Sequence, residues 1–144
     1  MWIVLTFLFW CIFTSFAFSD IVISEIMYSG NDDYDWFEIY NDGDSVNVSQ
    51  IKFYENGNRH NLFLKSNDEI LETGKFAIIA NDCITFNLSF PNFNATLIDS
   101  SFSLPSTGRT IILNYTEQIA YVYYNSSFGA NVEGISLSLI NGTP

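Results

Sequence analysis

Short runs of β-branched and aromatic residues, each closed by turn residues, recur every 8 to 12 positions from residue 21 to residue 140. Long helical periodicity is absent from this stretch. The pattern predicts an all-β domain, a sandwich or a barrel. Strands are expected over 21–28, 35–41, 46–55, 59–65, 75–81, 110–115, 118–124 and 134–140. Asn56-Gly57 is the strongest local hairpin signal, because both central residues of a type I′ turn need positive φ. Thr73-Gly74, Thr107-Gly108 and Asn141-Gly142 mark further turns. Residues 82–86 fit one helical turn. Residues 87–105, with Pro91 and Pro105, read as a long crossover loop.

Alternation assigns faces to these strands. In residues 35–41, Phe37 and Ile39 share the face suited to a core. Trp36, Glu38 and Tyr40 then share the opposite, half-exposed face. Residues 75–80 are nearly all apolar, as expected of a central strand covered on both sides. Ile119, Tyr121 and Tyr123 oppose Ala120, Val122 and Tyr124, so both faces of that strand are expected to be covered.

Residues 1–19 are an address rather than part of the fold. All 21 charged side chains lie after residue 19, and 15 of the first 19 residues are apolar. Ala17 and Ser19 occupy the small-residue positions of an A-x-A-like cleavage site, although no Lys or Arg precedes the apolar stretch. The segment reads as a signal peptide, with an uncleaved N-terminal anchor as the alternative. Residues 20–144 form the domain, and the expected location is secreted or at the cell surface. Contact with a membrane is expected only through the N-terminal segment, if it is retained.

Six Asn-x-Ser/Thr sequons agree with export: Asn47, Asn87, Asn94, Asn114, Asn125 and Asn141. Each is a candidate N-glycosylation site and is expected to face solvent. Beyond the leader Cys83 is the only cysteine, so an internal disulfide is ruled out there, and a buried, unreactive thiol is expected.

Five segments in order resemble the lamin-tail domain family. Residues 21–28 (IVISEIMY) look like its opening strand. Residues 35–41 (DWFEIYN) are similar to its W-[IV]-E-[LI]-Y-N strand, and 74–80 (GKFAIIA) to its third stretch. Residues 102–113 (FSLPSTGRTIIL) resemble its F-x-L-x-x-x-G-x-x-[IV]-x-L turn and strand, and 134–137 (GISL) its closing G-x-S-L. The chain departs from the family at Gln50-Ile51, where Gly-Trp is usual, and at Ser138-Leu139, where Glu-Arg is usual. The resemblance implies an exported, prokaryotic-type, stand-alone domain with an all-β, immunoglobulin-like antiparallel β-sandwich fold. It also implies a binding or tethering role, since such modules serve varied partners.

The formal net charge is −11, with 16 acidic and 5 basic residues. Phosphate affinity is carried by Lys and Arg, so no nucleic-acid partner is expected. Eight of the 16 acids fall between Asp20 and Asp44. One end of the sandwich is therefore the place to look for a cation or a basic partner. Asp32, Asp33, Asp35, Glu38, Asp42 and Asp44 lack EF-hand spacing, and a solvated acidic loop is expected rather than a Ca²⁺ site. Glu25 and Glu38 are expected across adjacent strands, where like charges need a donor such as Lys52 or a backbone amide. His60, the only histidine, is expected in an exposed loop, and no hydrolase triad or phosphate loop is readable. Trp36, Tyr40 and Tyr121 form the candidate contact surface for a glycan or protein, with packing beneath a neighbouring loop as the competing reading. The expected function is a non-catalytic exported binding or tethering module at the cell surface, without cofactor or metal, contacting a protein or glycan. The alternative is a small secreted metal-dependent hydrolase using the acidic cluster near Glu25 and Glu38.

Overall fold

The computed structural model describes residues 21–28, 32–66, 68–130, 132 and 134–139. The N-terminal segment 1–19 and the sequon at Asn141 lie outside them. The domain is an all-β sandwich. Its elements in chain order are β1 (Ile21–Met27), β2 (Trp36–Asn41), β3 (Val46–Asn47), β4 (Lys52–Glu55), β5 (Asn58–His60), β6 (Phe63–Leu64), β7 (Ile70–Leu71) and β8 (Phe76–Ala80). Then come α1 (Cys83–Ser89), β9 (Thr96–Asp99), β10 (Arg109–Tyr115), β11 (Gln118–Tyr124) and β12 (Leu137–Ser138).

Six strands form one sheet in the order β12-β1-β2-β8-β9-β6, and four form the other in the order β11-β10-β4-β5. A short β3–β7 ribbon stands apart from both. The core fills the space between the sheets. At its centre Phe37 of β2, Phe53 of β4 and Phe102 pack with ring centroids 5.1 to 5.7 Å apart, the tilted and edge-on geometry that aromatic quadrupoles favour. Phe37 and Ile39 are fully buried, as alternation predicts. Tyr28 and Tyr124 stack at 4.4 Å. The Tyr28 hydroxyl donates to the Gly129 carbonyl and that of Tyr124 to the Pro105 carbonyl, so neither polar tip is buried unpaired. Ile51 is buried in the same core.

Several expected boundaries are corrected. The strand expected over 46–55 is broken by a 3-10 turn, Val48–Gln50, capped by the Asn47 side chain. The strand expected over 59–65 is two strands, because β5 pairs with β4 in one sheet and β6 with β9 in the other. Such a switch of sheets forms a corner of the sandwich. The single helical turn at 82–86 extends to Ser89, with Asp82 accepting hydrogen bonds from the amides of Ile84 and Thr85. The long crossover loop contains β9, which runs parallel to β8. The sheet is thus not wholly antiparallel: β8, α1 and β9 make a β-α-β unit, the connection that parallel neighbours require. The last strand shrinks to two residues. The Asn56-Gly57 hairpin forms as expected, with φ of 47° and 85°.

Candidate contact surfaces

The outer face of the four-stranded sheet is the largest departure from expectation. Ile119, Tyr121 and Tyr123 of β11 are 68%, 58% and 46% exposed. Only the other side of the strand, with Val122 and Tyr124, is covered. The register extends this apolar face inward. Tyr121 lies opposite Ile112, Ile112 opposite Tyr54, and Tyr54 opposite Arg59. That row spans about 14 Å across three strand spacings. Ile119 lies opposite Asn114, which lies opposite Lys52. Lys52 and Arg59 are exposed and form no ion pair among the described residues. The one acid in these strands, Glu55, is buried and paired with Arg109 at 2.5 Å and His60 at 3.4 Å. A flat, tyrosine-rich face with two cations thus stands on a strongly acidic protein. Its outer strand, β11, is a sheet edge without a charged residue, the kind of edge that natural proteins usually protect.

The three expected contact residues do not converge. Trp36 is 8% exposed rather than half-exposed, because α1 lies over it. Its ring meets Phe86 and Phe90 edge-on at 5.8 and 5.9 Å. Met27, Ile78, Ala80, Cys83 and Leu97 complete this second core outside the main sheet. Tyr40, further along β2, is half-buried and stacks on the exposed Phe76 at 4.7 Å. Tyr121 belongs to the opposite sheet. Sequence reasoning named Tyr121 but missed Ile119, Tyr123 and Tyr54 beside it. The absence of charge from residues 118–124 is the signal that could have found them.

Glu25 and Glu38 are register partners across β1 and β2, as expected. Their donors are serines rather than Lys52, which lies in the other sheet. The Ser24 hydroxyl donates to Glu38 Oε1 at 2.8 Å, and the Ser136 hydroxyl donates to Glu25. Burial raises the Glu38 pKa, with the neighbouring Glu25 charge adding to it and the Ser24 bond partly offsetting it.

The acidic loop borders a cavity of about 240 Å³ at the end of the six-stranded sheet. Met27, Tyr34, Trp36, Phe86 and Phe90 wall it, and Asp33, Asp35, Asp82 and Ser89 add polar side chains. Neither Glu25 nor Glu38 lines it. Asp35 is buried and accepts from the Leu104 amide at 2.6 Å, while Asp82 caps α1. Asp33 is exposed. Among the described residues no three His, Cys, Asp or Glu side chains come together as a metal site.

His60 is a β5 strand residue rather than a loop residue. Its ring is tilted over Phe53 at 5.0 Å, and its Nδ1 donates to the Ser101 carbonyl. Cys83 is buried, and burial with Asp99 nearby pushes its thiol up to about 12, out of the range of a nucleophilic thiolate. Asn87 and Asn94 are exposed, and Asn47, Asn114 and Asn125 are partly exposed. At Asn47 and Asn125 the side-chain oxygen accepts from both the amide and hydroxyl of the sequon serine. No helix among the described residues is long and apolar enough to cross a membrane. No protein-family model matches the chain, and neither the curated proteins nor the solved structures contain a match to it.

Proposed function

We propose that the chain is a non-catalytic, exported binding module of lamin-tail type that acts at the cell surface and contacts a glycan or protein. The five ordered sequence segments support the family reading, and the uncharged leader and sequons support export. The observation that carries the binding role is the exposure of Ile119, Tyr121 and Tyr123 on an uncharged edge strand. Tyrosine provides large contact area at small entropic cost and keeps a hydroxyl for hydrogen bonding. Lys52 and Arg59 at the far side of the face favour a partner with acidic or hydroxyl-rich groups over a basic one.

Binding of the labelled protein to intact cells tests this reading. Saturable binding is expected, and its removal by protease or by glycosidase treatment of the cells identifies the partner's class. Binding that never saturates and is indifferent to both treatments would overturn it.

A further inference from the structure

The cavity beneath α1 is separate from the β11 face and has its own chemistry. Its walls are four aromatic rings and a thioether: Tyr34, Trp36, Phe86, Phe90 and Met27. Its charged side chains are all carboxylates, and no Lys or Arg lines it. Asp33 at the rim forms no ion pair or hydrogen bond with another described residue. Asp35 and Asp82 lie deeper, each engaged by backbone amides.

A ring face attracts cations through its quadrupole, most strongly when the cation is weakly hydrated. Carboxylates at the rim add a longer-ranged attraction, which a net charge of −11 reinforces. The size of the cavity, about 240 Å³, is below the roughly 300–1,000 Å³ of drug-sized sites. It suits a single head group. Of the acceptors in the wall, Asp35 and Asp82 are already engaged by backbone amides, which leaves Asp33 and Ser89 to meet the several N–H groups of a primary ammonium or guanidinium. A quaternary ammonium needs no such acceptor.

We infer that the cavity formed by Tyr34, Trp36, Phe86 and Phe90, with Asp33 at its rim, binds a quaternary ammonium group. The cation enters over Tyr34 and Phe90, which are both partly open to solvent at 40% and 41%. Trp36 and Phe86 form the floor, held in place by their edge-on packing. This site does not depend on the proposed role of β11, since no residue of that strand lines it.

Calorimetric titration of the protein with choline, and with its neutral carbon isostere 3,3-dimethylbutan-1-ol, tests the inference. The two probes match in shape and differ in charge. Choline is expected to bind saturably with a Kd of about 1 mM or tighter, and at least about tenfold more tightly than the alcohol. Asp33→Asn and Tyr34→Ala are each expected to weaken choline by about fivefold or more while the melting temperature stays within about 2 °C. Tyr121→Ser should leave choline binding unchanged, which separates failure here from failure of the cell-surface reading. Equal affinity for the two probes, or no saturable choline binding to a folded protein, would overturn the inference.

Discussion

Glu38 shows how a single side chain carries an energetic cost inside this sheet. Its carboxylate faces Glu25 across β1 and β2 and is partly removed from water. Burial raises its folded-state pKa above the ordinary 4.5. For an acid the sign is then fixed. Its contribution to stability is full below 4.5, and is lost as pH rises through the raised folded value. Glu38→Gln keeps a carbonyl acceptor for the Ser24 hydroxyl and removes the charge. The variant is expected to match the wild type in acid and to exceed it at neutral pH by up to about 1 kcal/mol. Thermal melts of both proteins across that pH range check it, and a constant difference at all pH values would contradict the assignment. That the two acids face each other across adjacent strands was expected from the sequence, but the bulge between Ile23 and Glu25 that sets their register was not. Nor were the serine donors, because Ser136 reaches Glu25 from a segment 111 positions away.

Helix α1 matters beyond its two turns. It covers Trp36 and Ile78, turns the outer face of the six-stranded sheet into a second core, and lines the cavity through Phe86 and Ser89. Its start depends on Asp82, whose side chain accepts from the amides of Ile84 and Thr85 at 2.7 and 2.9 Å. Asp82→Ala is expected to cost about 1 kcal/mol, as loss of an N-cap does, read by chemical denaturation. A change within about 0.3 kcal/mol would mean that packing alone holds the helix start. The helix was only half visible in the sequence. Cys83 and Phe86 face inward while Ile84 and Leu88 remain exposed, so apolar residues ring it and no amphipathic stripe marks it. The parallel strand β9 was hidden for a related reason. Thr96, Leu97 and Ile98 are all buried, and a four-residue strand covered on both faces has no alternation to detect.

For the molecule as a whole, the polarity of the surface follows the two sheets. The six-stranded sheet ends in an acidic loop and an aromatic cavity, and α1 closes its outer side. The four-stranded sheet leaves its outer side open, with tyrosines toward the β11 edge and Lys52 and Arg59 toward β4 and β5. The all-β class, the hairpin at Asn56-Gly57 and the central place of β8 were readable from turn spacing and apolar runs. Which of two alternating faces lies open was not. Alternation distinguishes one side of a strand from the other, and burial depends on what long-range packing brings above each side. For β2 that is α1, and for β11 it is nothing among the described residues.

The contact face is tested most directly by comparing cell binding of Tyr121→Ser/Tyr123→Ser with that of Tyr40→Ser on the opposite sheet. Both variants remove solvent-reachable tyrosine rings, and both must keep the wild-type melting temperature to within about 4 °C. The expected result is a loss of at least about tenfold in affinity for the β11 pair, as for hot-spot aromatics, and no change for Tyr40→Ser. Unchanged binding by the β11 variant, or an equal loss in both, would contradict a partner site on the outer face of β4, β10 and β11.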